Sequence, residues 1–280
     1  MDWGAAPIMP TRFTIRILQT ALASSLLTSP LVRCAAAQQP SLTAPKAPAL
    51  VAPADEQLQK AEAALQKEDY ETAAPLLESY LAHRPTDVSA RFNLALAYSM
   101  TRRGPQAIEQ YTRVLAEQPD LIPAHLNLGM MLRFEEKYDE ALKHLEFVVE
   151  KQPNHWTALT ELGRTLARLK RVPEARAAFE KALKIEPGNV SPRLDLIDLL
   201  TDTDPPAAER ELRALLQDMP SGPDAQEARI QLANLLVARS APATPVRDEA
   251  LHLFEQAAQA LQLNGVEVAV HIAQGVGHGI

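Results

Sequence analysis

Four prolines, Pro85, Pro119, Pro153 and Pro187, follow one another at intervals of 34 residues. Twelve residues before each stands an alanine: Ala73, Ala107, Ala141 and Ala175. Twelve residues before each alanine stands another small residue: Ala61, Ala95, Gly129 and Gly163. Three columns locked to one period constrain the fold more than any other feature of the chain. A repeat of this length is one supersecondary unit that buries its apolar face only by stacking on its neighbours. The columns describe a helix–turn–helix. Small residues at matching heights on two antiparallel helices let the backbones approach closely. Each proline stops the second helix, because it cannot extend the hydrogen-bond ladder. Leu94, Leu128 and Leu162, with Tyr98, Leu132 and Leu166 four residues on, supply the apolar stripe of the first helix. Tyr111, Leu145 and Phe179, with Val114, Val148 and Ala182 three residues on, supply that of the second. Pro105 and Pro173 open second helices, where a missing N–H costs nothing. Composition agrees, since aromatics are 5% of the chain and glycines 10 of 280 residues, which favours helix over strand.

The segment from Trp156 to Gly163, and that from Ala175 through Phe179 to Pro187, resemble the tetratricopeptide repeat family. The resemblance covers residues 54–263 and implies an all-α, right-handed superhelical solenoid of helix–turn–helix repeats, with first helices on the concave face. The repeats are 54–87, 88–121, 122–155, 156–189, a shorter fifth at 190–222 and a looser sixth at 223–263. In the fifth, Ala208 and Pro220 keep the twelve-residue spacing, but Ile197 stands in the small-residue column and should push its helices apart. In the sixth, Ala233 pairs with Ala250 across a proline-bearing loop from Ser240 to Val246. Pro75 lies inside the first repeat's second helix and should kink it. Residues 264–280 match no repeat. The last apolar face needs a polar cover, either this tail or another molecule, and the tail is the expected cap.

Ahead of the repeats, Arg12 and Arg16 precede an apolar run from Ile17 to Val32, followed by Ala35-Ala36-Ala37. A basic start, a short apolar core and a small-residue site read as a secretory signal over 1–37, cleaved before Gln38. Its removal takes away Cys34, three arginines and one aspartate, and shifts the net charge from −7 to −9. Two alternatives stand beside cleavage: an uncleaved membrane anchor, and a lipoprotein acylated at Cys34. Arg33 is larger than the residue such a lipoprotein signal wants before its cysteine. Residues 38–53, with four prolines and four alanines, read as an extended linker. The expected location is therefore periplasmic or extracellular, or membrane-anchored and facing the periplasm.

Signs of catalysis are lacking. One cysteine cannot make a disulfide framework or a zinc cluster. An acidic net charge argues against nucleic acid. Among the seven histidines no two are three or four residues apart, so no helix carries a metal pair. His125 occupies an inter-helix packing site. Gly275-Val276-Gly277-His278-Gly279 has no helix after it to serve a phosphate. The carboxylate pairs Glu135-Glu136 and Glu68-Asp69 sit beside inter-helix turns, as solvated caps do. No enzyme activity, cofactor or metal is expected.

What the resemblance implies instead is a binding groove. Its groove positions would hold Phe92, Leu96 and Met100, then Leu126, Met130, Arg133 and Phe134, then Arg164 and Arg168. The apolar members suit an amphipathic helix or extended peptide, and the arginines suit its acidic groups. Some members of the family clamp a carboxylate with lysine and asparagine. Asn93 and Asn127 are in place here, but Leu58 and Phe92 occupy the lysine positions, so that clamp is not expected. Charge alternates along the array, −5 over 54–87, +3 over 156–189 and −4 over 190–222, which could steer partners or support self-association. The expected function is a non-catalytic protein-interaction scaffold or adaptor in the bacterial cell envelope. The alternative is a membrane-anchored assembly factor resembling the repeat lipoproteins that guide pilus secretins.

Overall fold

A computed structural model describes residues 53–239 and 245–260. The expected export signal, nearly all of the linker, most of the loop after Arg239 and the C-terminal tail lie outside the described residues. Twelve α-helices and no strand occur among those described: α1 (Pro53–Gln66), α2 (Tyr70–His83), α3 (Val88–Met100), α4 (Gly104–Glu117), α5 (Ile122–Phe134), α6 (Tyr138–Lys151), α7 (Trp156–Arg168), α8 (Val172–Ile185), α9 (Val190–Thr203), α10 (Pro205–Asp218), α11 (Pro223–Arg239) and α12 (Pro245–Ala260). The fold is an all-α helical-repeat solenoid. It divides into two compact units, one ending at Lys151 and one beginning at Gln152.

Each 34-residue period spans one helix pair, and the columns explain why. Ala61, Ala95, Ala73, Ala107, Ala141 and Ala175 are wholly buried, because each sits where two helix backbones come closest. Gly129 and Gly163 occupy the same seam with less room. A Cβ on Gly129 would lie 2.8 Å from Leu145 Cγ, and one on Gly163 would lie 2.6 Å from Phe179 Cε1. The large residues four positions after each alanine fill the space between helices: Leu77, Tyr111, Leu145, Phe179 and Leu212 are all at most 1% exposed. Each contributes about 1.5–3 kcal/mol by leaving water.

Capping sets the helix ends. The side chains of Asp69, Asp87, His155, Asn189 and Asp204 accept from backbone N–H groups of the first turns of α2, α3, α7, α9 and α10. Pro85, Pro119 and Pro187 each follow the C-cap residue of a second helix. Within the first four repeats the two helices are joined by three residues, the middle one left-handed: Glu68, Arg102, Glu136 and Lys170, with φ of 59° to 61°. The next N–H reaches back across the turn, as in Arg103 N–H to Tyr98 O at 2.9 Å and Arg171 N–H to Leu166 O at 2.9 Å. This is a Schellman-type stop built without glycine.

The fifth repeat breaks that rule. α9 runs on to Thr203, and Asp204 alone (φ −152°) joins it to α10, ending one helix by its N–H to Leu200 O and capping the next through Ala207 N. Ile197 is fully buried, and α9 and α10 meet along fewer residues than α7 and α8 do. Pro75 stays exposed on α2, which continues through it to His83.

Candidate interaction surface

In the first unit, α3 and α5 present the expected groove residues, and burial separates them into two kinds. Leu96, Leu126 and Met130 are 2%, 3% and 2% exposed. They are closed to a partner, so the expectation that they anchor one is corrected. Each is drawn into the packed interior, where an apolar side chain gains most by excluding water. Phe92, Met100, Arg133 and Phe134 keep part of their surface in solvent. Phe92 meets the buried ring of Tyr111 edge-on, with centroids 5.5 Å apart at 70°. The Tyr111 hydroxyl accepts from Asn127 Nδ2 at 3.1 Å, and burial pushes its pKa up. Asn127 is thus a core residue that ties α5 to α4. The guanidinium of Arg133 lies 4.2 Å over the Phe134 ring. This pair closes the C-terminal end of α5, where a cation also suits the helix dipole.

The other side of the third repeat carries an aromatic cluster. His125 stacks on Phe147 with centroids 4.0 Å apart, and its Nδ1 lies 2.9 Å from His144 Nδ1. His125 Nε2 is 2.8 Å from the Pro119 carbonyl and must donate to it, so in the neutral ring Nδ1 accepts and His144 Nδ1–H is the donor. Burial, then the neighbouring His125, lowers the His144 pKa. Arg91 does the same service one repeat earlier, donating to Gln110 Oε1 at 2.9 Å and to the Pro85 carbonyl.

In the second unit, Arg164 extends from α7 into a polar knot. Its Nη1 donates to Glu161 at 2.6 Å, its Nε and Nη2 to Asp195 at 2.8 and 2.7 Å, and its Nη2 to Ser191 at 2.7 Å. Burial works against the cation, but Glu161 and Asp195 more than offset it, so the pKa is raised. Arg164 is therefore committed within the protein, a correction to its expected role of pairing a partner's acid. Arg168 is exposed and already engaged. The partners of Arg164 are the site feature missed in the sequence. Their signal was opposite charge on successive first helices, Arg164 on α7 and Asp195 on α9. On α9, Asp198 is pushed up to about 6, although the residue as a whole is exposed. Loss of water around its carboxyl acts first, then the charge of Asp195.

Among the described residues no group of three or more His, Cys, Asp or Glu side chains could hold a metal ion, and no helix is long and apolar enough to cross a membrane.

Residues 64–128 and 126–190 each match a family model described as tetratricopeptide repeat. No curated protein matches the chain. Among solved structures, PilF of Pseudomonas aeruginosa is similar with a TM-score of 0.60 and 21% identity, covering 79% of this chain and 97% of its own. A tetratricopeptide repeat protein of Parabacteroides merdae is similar at 0.59 and 18%, covering 80% and 98%. MamA of Desulfovibrio magneticus RS-1 is similar at 0.56 and 20%, covering 59% and 93%. At these identities the likeness speaks for the fold alone. Family models and fold agree with the alanine, small-residue and proline columns: residues 64–190 of the chain are tetratricopeptide repeats.

Proposed function

We propose that the protein is a non-catalytic interaction scaffold of the bacterial cell envelope that holds a segment of a partner protein on the first helices of its second and third repeats. The repeat fold supports the scaffold reading, since such arrays serve protein–protein interaction. One observation carries the binding mode: Phe92, Met100 and Phe134 keep apolar surface in solvent on the neighbouring helices α3 and α5, while other apolar residues of those helices, such as Leu96 and Met130, are buried. Adaptable and aromatic side chains in that setting suit an amphipathic helix or an extended peptide. The envelope location rests on the basic, apolar and small-residue pattern of residues 1–37.

The test is co-purification of the tagged protein from its native envelope beside a Met100→Glu, Phe134→Glu variant. Both side chains are partly exposed, so helical circular dichroism should stay at the wild-type level. A partner held by the wild type and lost by the folded variant supports the reading. Identical partners in both samples overturn the placement on α3 and α5. Intact mass of the exported protein separates the two locations: Gln38 at the N-terminus supports release, and an acylated Cys34 supports membrane anchoring.

A further inference from the structure

The third repeat sets two histidines face to face across its helix pair. His125 stands on α5 and His144 on α6, 19 residues apart in the chain, a spacing that means nothing within one helix. In space their Nδ1 atoms are 2.9 Å apart, with ring centroids 5.0 Å apart and planes inclined by 44°. Both rings are half-buried, so solvent still reaches them.

The His125 ring is fixed on its other sides by the Phe147 stack and by the Nε2–H given to the Pro119 carbonyl. Its Nδ1 lone pair is thereby directed at His144. Metal-ligating histidines are held in the same way, with the second ring N–H donated to a backbone carbonyl. His144 has its pKa lowered by burial and then by His125, so its ring is neutral at pH 7. On α6, Glu140 favours positive charge at His144 and Lys143 opposes it, while the Lys151 ammonium lies 5.5 Å from the Phe147 ring centroid. Among the described residues no carboxylate joins the two rings as a third ligand.

Two neutral imidazoles cannot turn bare lone pairs on each other at this distance. In the free protein the proton on His144 Nδ1 fills the gap. A divalent first-row ion fills it as well, since imidazole nitrogen suits zinc, copper and nickel. Tetrahedral zinc, at about 2.0–2.1 Å from each nitrogen, sets two such nitrogens about 3.4 Å apart. The rings must therefore part by roughly 0.5 Å, which small χ rotations of two half-buried side chains supply. The His144 proton leaves Nδ1 for water and another is taken up at Nε2, so the ring stays neutral.

We infer that His125 and His144 form a two-nitrogen site for a divalent first-row transition-metal ion, bound through both Nδ1 atoms and completed by water, which staples α5 to α6. Two protein ligands are fewer than a structural or catalytic zinc site uses, so the ion exchanges freely. Binding only the folded pair, it adds stability that grows with its concentration. The site uses neither Met100 nor Phe134 and stands whether or not that surface holds a partner.

The experiment is calorimetric titration of zinc chloride into the full chain carrying no histidine tag, beside long-range proton–nitrogen spectra of the chain labelled with nitrogen-15 histidine. The tightest zinc site should weaken at least about tenfold in His125→Gln and in His144→Gln, each checked for fold by circular dichroism. It should be unchanged in His83→Gln and His252→Gln. The spectra need no variant. Without zinc His144 should carry Nδ1–H and His125 Nε2–H; with zinc both should carry Nε2–H and a coordinated Nδ1. Absence of zinc binding, equal affinity in either glutamine variant, or a His144 ring that keeps its Nδ1–H at saturating zinc would each overturn the site.

Discussion

Replacing Arg164 by methionine tests whether this cation belongs to the fold or to a partner. The side chain is 28% exposed, Asp195 is 23% exposed, and Glu161 only 2%. Removing the guanidinium takes the opposite charge from a buried carboxylate, Glu161, and the shared donor from Asp195 and Ser191. Breaking a buried pair from one side costs about 3–5 kcal/mol. Because Arg164 and Asp195 keep part of their hydration, the lower end applies, about 3 kcal/mol. That is a large share of the ~5–15 kcal/mol that holds a domain folded. Urea denaturation followed by circular dichroism should show the midpoint falling with the slope unchanged. Adding Glu161→Gln removes that buried charge and should return at least about 1 kcal/mol, a coupling that a double-mutant cycle reads directly. If Arg164→Met stays within about 0.5 kcal/mol of the wild type, the knot is not structural and the guanidinium is free to serve a partner after all.

Three further outcomes follow from the same geometry. Gly163→Ala gains about 1 kcal/mol of helix propensity but drives a methyl into the buried Phe179 ring, so a net loss of about 1–2 kcal/mol is expected in urea melts, reduced when Phe179→Leu is added. Lys170→Gly relieves a left-handed backbone (φ 61°) and should raise stability by about 0.5–1 kcal/mol, with a higher melting temperature. His144 is lowered by burial and by His125, and His155 by burial, so their neutral forms favour the folded state. Stability should be full above the ordinary histidine pKa of about 6.5 and fall as pH drops below it. Protonated His155 also loses the Nδ1 acceptor that caps Ala158 N–H. Melting temperature against pH should flatten in His144→Gln; an unchanged slope would remove the pair from the account.

The helix pairs were legible because one period fixes three columns at once. α3, α5, α7 and α9 begin at Val88, Ile122, Trp156 and Val190, 34 residues apart, so the phase of the small residues places each first helix. Which groove residues stay exposed was not legible, for a physical reason. Leu96, Met130 and Arg164 each follow the small residue of their repeat, and comparing repeats treats them as equivalent. Their surroundings come from elsewhere in the array: Arg164 meets Ser191 and Asp195, which occupy other columns of the next repeat. Reading repeats one above another hides such contacts, because each is made between different columns of successive units. The turn residues were hidden for another reason. Glu68, Arg102, Glu136 and Lys170 adopt φ near 60° without being glycine, so no residue type marks the position.

Regularity and function therefore pull the sequence in different directions. A position repeated in every unit is held by the seam it packs into, and changing it costs stability wherever it occurs. A partner that must tell this array from others can use only what the columns do not share. One place that meets that condition among the described residues is the end of α3 and α5, where Met100, Arg133 and Phe134 lie beyond the buried stripe.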